Sequence, residues 1–307
     1  MSKIYDCIII GGGPAGLSAG LYAARSRMDT LIIEKENYGG QIATTEEVDN
    51  YPGSMENATG PLLVQRMKKQ AEEFGAHFME DEIIDVDFSK EIKVLKAKKQ
   101  IYEAKSVIIT AGASPRLGGF KNEIEFRGKG VSYCATCDAD FFAELNVAVI
   151  GGGDSAITEA IYLTKFAETV TIIHRRDELR AAKSLQQKAF NNAKIKFIWD
   201  SVVEEAVGNQ ILEKLIIKNI KTGEITEKAF DGVFVFVGFI PISEIYQGKI
   251  HMNESKYIVT DSEMNTNISG VFAAGDIREK SLRQVITAAA DGAIAATNAE
   301  RYLESLE

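Results

Sequence analysis

Two cysteines separated by two residues, Cys134 and Cys137, are followed directly by an acid, Asp138. Cysteines at this spacing can close a small-loop disulfide at the start of a helix, where partial positive charge favours a thiolate. Zinc is the main alternative use of the pattern. A structural zinc site needs four ligands, and the sequence contains no second pair of this kind. Its other thiol, Cys7, and the histidines His77 and His174 are scattered along the chain. The pair is therefore read as a redox disulfide, and no metal is expected. Asp138 fits two roles that the local sequence does not separate. It can donate or accept the proton that thiol–disulfide exchange requires, or it can cap a helix N-terminus.

The elements that would serve such a pair form a repeat. Residues 5–10 read as a short buried strand, followed by Gly11-Gly12-Gly13-Pro14-Ala15-Gly16, an apolar helix over about 15–26, and a strand 30–33 ending at Glu34. The order returns 140 residues on: strand 146–150, then Gly151-Gly152-Gly153-Asp154-Ser155-Ala156, a helix to about 166, and strand 169–173 ending at His174. Glu34 lies 23 residues after Gly11, and His174 lies 23 after Gly151. A lone glycine loop is weak evidence. Two of them, each between a strand and a helix and at one spacing, predict two dinucleotide-binding units. The first glycine permits the tight turn. The second, Gly13 or Gly153, lets backbone N–H groups approach a pyrophosphate. The third position, Gly16 or Ala156, must be small for the helix to pack on the strand. Pro14 in one copy and Asp154-Ser155 in the other open the helices, whose N-termini lend partial positive charge to phosphates.

The copies differ where a ribose would sit. Glu34 can accept hydrogen bonds from two ribose hydroxyls, which suits an adenosine without a 2′-phosphate. The second copy offers His174-Arg175-Arg176, with Arg180 four residues later. Guanidinium groups bind a 2′-phosphate through charge-assisted bonds, whereas a carboxylate would repel it. The second unit is thus read as an NADPH site. The first is assigned FAD, because two nicotinamides have no productive chemistry with each other while a flavin accepts hydride and hands on electrons. A distant run, Gly270-Val271-Phe272-Ala273-Ala274-Gly275-Asp276, reads as a buried strand ending in an acid for the ribityl or pyrophosphate part of the flavin. A helix from about Gln284 would point its N-terminus at the ring.

The fold class that follows is α/β, with two Rossmann-like dinucleotide-binding domains, the NADPH domain inserted into the FAD domain. The boundaries expected are 1–113 and 244–307 for the FAD domain and 117–239 for the NADPH domain, which also carries the cysteines. The proline-bearing stretches 113–117 and 239–243 would be the linkers. Nicotinamide and disulfide must each reach one flavin ring, so the inserted domain is expected to swing on those linkers. The 307 residues, with 45% hydrophobic and 26% charged, fit an ordinary globular chain. A net charge of -9 makes nucleic acid and anionic membrane poor partners. The uncharged stretch 7–24 is long enough to suggest a signal or a membrane span, but Gly11-Gly12-Gly13-Pro14 interrupts it. A strand, turn and helix explain it better, and the protein is read as cytoplasmic.

Together these motifs resemble the low-molecular-weight, NADPH-dependent thioredoxin reductases over essentially the whole chain. Gly39-Gly40-Gln41, Asn50-Tyr51-Pro52-Gly53 and Arg283-Gln284-Val285 match that family as well. The resemblance implies a homodimer whose flavin is lined by Gly40, Gln41, Asn50, Arg283, Gln284 and Val285. It also implies that Cys137 lies near the flavin, that Cys134 exchanges with a thioredoxin-like protein, and that Asp138 moves protons. Ala139-Asp140 departs from the family's glycine and small residue and adds a negative charge to the partner-facing loop. Rivals of the same fold are a small-dithiol oxidase and a ferredoxin-fed reductase. Neither needs Arg175, Arg176 and Arg180. A non-catalytic flavin redox sensor is the rival from another class.

Overall fold

The computed structural model describes residues 3–44, 48, 50–54 and 58–306. The chain divides into two compact units, Met1–Ser114 with Ile240–Glu307, and Pro115–Phe239.

In the first unit the strand Ile4–Ile10 lies between Thr30–Glu34 and Ile101–Ile109, parallel to both, and His77–Glu80 extends the sheet beyond Thr30–Glu34. Side chains of successive strand residues point to opposite faces, and here both faces are covered. Ile8, Ile10, Leu31, Ile33, Val107 and Ile109 enter one apolar cluster, while Cys7, Ile9, Ile32 and Ile108 enter another. This is why the strands read as unbroken apolar runs. Burying each such side chain fully contributes about 1.5–3 kcal/mol. The second cluster belongs to the helices Pro14–Arg25 and Val285–Glu304, which pack on each other through small residues. Ser18 Oγ donates to Ala289 O at 2.7 Å across that contact.

Ile101–Ile109 divides its outer edge. Its first half pairs antiparallel with Lys93–Ala97, which pairs in turn with Ile83–Asp87. Its second half pairs parallel with Val271–Ala273, so a late segment completes the sheet beside the first strand's partner. The helix Gly60–Glu73 is capped by Thr59, whose Oγ1 accepts the Leu62 N–H.

In the second unit all five strands of the main sheet are parallel, in the order Ile195–Ile198, Thr169–Ile173, Asn146–Ile150, Gly232–Val235, Val131–Ser132. The helix Asp154–Leu163 follows the second glycine loop and buries Ala156, Ile157, Ala160 and Leu163. Ser201–Gly208, Leu212–Asn219 and Ile225–Ala229 form a separate antiparallel sheet. Sequence reading had not resolved these three. No helix among the described residues is long and apolar enough to cross a membrane.

Candidate active site

Cys134 and Cys137 are joined as a disulfide. Cys134 stands at the N-cap of a single helical turn, Ala135–Asp138, in extended conformation, and both sulfur-bearing residues are half-buried. The turn is anchored by Ala135, which is buried against Val149 and Ala156 of the second unit's core. Asp138 closes that turn and stands at the N-cap of the next one, the 3-10 helix Ala139–Phe142, where its side chain makes no capping bond. Its Oδ2 accepts a hydrogen bond from Ser132 Oγ at 2.6 Å, and Ser132 Oγ accepts the Cys134 N–H at 3.1 Å.

In the first unit the glycine loop is built as its spacing demands. A Cβ on Gly16 would stand 1.9 Å from Gly11 O, so no side chain fits there. Gly11 itself has a φ of 113°. Glu34 reaches back to the loop: its Oε2 accepts the Gly12 N–H at 2.7 Å, and its Oε1 accepts the Lys35 N–H at 2.8 Å. The other flavin candidates lie in the same unit. Gly40 lies against Gly13, where an added Cβ would come within 4.0 Å of the Gly40 Cα. Gln41 Nε2 donates to Ala113 O. Asn50 Nδ2 donates to Gln284 Oε1 at 3.1 Å, joining two residues 234 apart in sequence. Gln284 caps the last helix in a reciprocal box with Thr287, and Val285 packs against the small cluster of Val48, Ala58 and Leu63. Gly275 adopts φ 77° with its Cα turned toward Ala15, and Asp276 follows it.

Two polar atoms there are buried without a partner among the described residues, Asp276 Oδ1 and Arg283 Nε. Burial holds the Asp276 carboxyl above its usual range, offset in part by Lys280 and Arg283. An unpaired carboxylate oxygen and an unpaired guanidinium N–H are the acceptor and donor that a polar group such as a dinucleotide would complete. Sequence reasoning missed a neighbour of this turn. Asp291 Oδ2 accepts the Gly275 N–H at 3.0 Å and bonds Lys280 Nζ at 2.7 Å and Arg278 Nη1 at 3.3 Å. A lone acid inside the small-residue run 288–296 was the available signal.

In the second unit, Gly152 O accepts the N–H groups of Arg180, at 2.7 Å, and Ala181. Asp154 Oδ1 accepts the Ala182 N–H at 2.7 Å. These bonds hold the segment 180–182 against the loop, and an added Cβ on Gly153 would be 3.9 Å from Arg180 Nη2. Ser155 is exposed on the first turn of the helix. Arg175, Arg176 and Arg180 are exposed, and among the described residues no carboxylate pairs with them. The nearest acid in sequence, Asp177, is engaged by Lys221 at 2.8 Å. His174 is placed differently from the arginines. Only 5% exposed, its ring lies under Gly152, and Nε2 has no hydrogen-bond partner among the described residues. Burial, then Arg180, Arg176 and Arg175, push its pKa down and favour the neutral ring.

Two sheets, one mixed and one parallel, each with a glycine loop leading from a parallel strand into a helix, and a disulfide in the second unit define a dinucleotide-dependent disulfide oxidoreductase. The chain belongs to the pyridine nucleotide-disulphide oxidoreductase family, whose model matches residues 5–292. It is 58% identical to a thioredoxin reductase of Peptoclostridium acidaminophilum, covering 99% of each chain. It is 48% identical to a thioredoxin reductase of Bacillus subtilis, covering 99% of this chain and 96% of the other. The crystal structure of a thioredoxin reductase from Streptococcus pyogenes superposes with a TM-score of 0.94 at 45% identity, covering 99% of this chain and all of that one.

Proposed function

We propose that this chain is an NADPH-dependent thioredoxin-disulfide reductase. The observation that carries the reading is the Cys134–Cys137 disulfide on its short turn, with Asp138 tied to the same backbone through Ser132. FAD, when bound, supplies the two-electron chemistry that accepts hydride from NADPH and passes electrons to this disulfide.

The residues of the chain do the rest. Gly11, Gly13 and Gly16 leave room for a pyrophosphate at the head of the helix opened by Pro14, and Glu34 receives ribose hydroxyls. Gly40, Gln41, Asn50, Asp276, Arg283, Gln284 and Val285 complete the flavin site. Gly152, Gly153, Asp154 and Ser155 receive the pyrophosphate of NADPH. Arg175, Arg176 and Arg180 receive its 2′-phosphate, and His174 supports the loop from beneath. Once the pair is reduced, Cys134 attacks the disulfide of a thioredoxin-like protein, Cys137 closes on Cys134, and Asp138 exchanges the protons. Residues 1–113 and 244–307 form the FAD domain in this reading, and 117–239 the NADPH domain. A homodimer in the cytoplasm, where a reducing pool keeps thioredoxins in use, is the setting we assign it.

Steady-state oxidation of NADPH by the purified holoprotein tests the proposal, with thioredoxin, glutaredoxin and oxygen compared as acceptors. Fast turnover with thioredoxin is expected. Turnover with oxygen alone, unchanged when thioredoxin is added, would sink it.

A further inference from the structure

We propose that Ser132 is the positioning residue for the acid–base group Asp138 in the exchange between Cys134 and a protein disulfide. The inference rests on the reductase reading above and adds a residue to it.

Ser132 is 5% exposed, and its hydroxyl is engaged on both sides. It donates to Asp138 Oδ2 at 2.6 Å and accepts the Cys134 N–H at 3.1 Å; a longer approach to Cys134 O, at 3.3 Å, is secondary. One oxygen thus ties the carboxylate to the backbone of the residue that bears the exchanging sulfur. Its placement is fixed from three directions. The strand Val131–Ser132 pairs with Val233 and Phe234. Val131 and Tyr133, on either side, point into one apolar cluster, so Ser132 projects to the opposite face of the strand. Tyr133 is held in turn by a carboxylate that is 3% exposed. Glu123 Oε1 accepts the Tyr133 O–H at 2.7 Å and the Gly118 N–H at 2.7 Å, and Glu123 Oε2 accepts the Gly119 N–H at 2.8 Å. A buried carboxylate with three donors is costly to displace. The backbone that carries the Ser132 hydroxyl is therefore held in place, and the bonds to Asp138 and the Cys134 N–H orient the hydroxyl itself.

The chemistry needs such a fixed group. The Cys134 thiolate bonds one sulfur of the partner disulfide, whose S–S bond breaks and whose leaving thiolate takes a proton. Cys137, as thiolate, then attacks Cys134, re-forming the internal disulfide and releasing the second partner thiolate, which is protonated in turn. The enzyme dithiol loses two electrons and two protons, and the partner disulfide gains both. Asp138 carries protons between these sulfurs. A hydrogen bond donated to its carboxylate favours the charged form and sets the pH at which it holds a proton. Other titratable groups on the elements around it are Tyr133, Asp140 on the following turn, and Asp154, Glu159 and Tyr162 on the packed helix.

The test is Ser132→Ala in the holoenzyme, with Ser132→Thr as the variant that keeps the hydroxyl. Carboxyl signals of carbon-labelled aspartate are followed by NMR against pH, and the Asp138 signal is identified by its loss in Asp138→Asn. Loss of one charge-assisted bond should move the Asp138 midpoint upward by about one pH unit in Ser132→Ala. The acid limb of thioredoxin reduction should move with it, while Ser132→Thr keeps both in place. An unmoved midpoint in a folded Ser132→Ala protein overturns the proposal. So does a moved midpoint that the rate profile does not follow. The titration needs no turnover, so absence of thioredoxin reduction in the unaltered holoenzyme would refute the reductase reading alone.

Discussion

Replacing Arg175 and Arg176 together by glutamine tests the cofactor assignment most sharply. Both guanidiniums are exposed at the end of the strand Thr169–Ile173, and the adjacent Asp177 is already paired with Lys221. Their charge is therefore available to a ligand. A buried charge-assisted bond contributes about 1.5–3 kcal/mol, but exposure and salt reduce each of these to about 1 kcal/mol. Two such losses amount to about 2 kcal/mol, or up to ~30-fold in affinity. Arg180 stays in place, because its backbone N–H is held by Gly152 O at 2.7 Å, so some phosphate attraction survives. The expected rise in KM for NADPH is thus ~10- to 30-fold, with kcat little changed. NADH lacks the phosphate and should be nearly unaffected. Steady-state kinetics with both cofactors at two ionic strengths reads this directly, and the NADPH preference of the unaltered enzyme should shrink as salt rises. Equal losses for NADPH and NADH would show that these arginines do not meet the 2′-phosphate.

Cys134→Ser and Cys137→Ser should each abolish thioredoxin reduction while leaving NADPH oxidation by an artificial acceptor intact, since one thiol cannot store two electrons; near-normal thioredoxin reduction by either variant would contradict the redox pair. Gly16→Ala places a methyl 1.9 Å from Gly11 O. Overpacking of this kind costs about 1–3 kcal/mol, so the purified variant should melt several degrees lower and lose flavin; full flavin content with an unchanged melting point would refute the close-packing argument. His174 has a depressed pKa, so above its ordinary value of 6.5 folded and unfolded states are both neutral and its contribution is fully present. As pH falls below that value the unfolded chain gains the proton first, and stability should drop by at most about 1.4 kcal/mol per pH unit. His174→Asn should flatten this part of the Tm–pH curve; an identical slope in both proteins would show that His174 is not the group responsible.

The sequence made the strands 146–150 and 169–173 legible residue for residue, because both are buried on two faces and end at a glycine turn or a histidine. Elsewhere apolarity alone misjudged the ends. The helix after the second loop stops at Leu163 rather than near 166, since Lys194 Nζ takes the carbonyls of Thr164 and Ala167 from 30 and 27 residues away. The apolar stretch 107–109 is only the end of a strand that begins at Ile101, where alternation with exposed residues marks its pairing to a hairpin rather than a parallel neighbour. The run read as a strand over 270–276 gives only Val271–Ala273, and Gly275 turns the chain at positive φ. In the site, residue types that recur at fixed spacing were readable. Contacts that depend on the third dimension were not: the Glu34 bond to Gly12, the burial of His174 under Gly152, and the Ser132 bond to Asp138.

The late strand Val271–Ala273 and the helix Val285–Glu304 have a consequence for how the protein is made. A chain emerging from the ribosome completes the segment Pro115–Phe239 as one continuous stretch, and that segment has its own sheet and core. The earlier-born residues cannot finish theirs. The first glycine loop leads into a helix whose packing partner arrives 271 residues later, as the Ser18–Ala289 bond shows, with Gly292 so close that an added Cβ would stand 2.1 Å from Ala15 O. Domains fold as units during synthesis, the earliest usually first. Here that order is reversed: the middle of the chain can fold while its beginning waits for the helix Val285–Glu304 to be made. Truncating the last helix would therefore damage the first-made half of the protein and spare the part translated between.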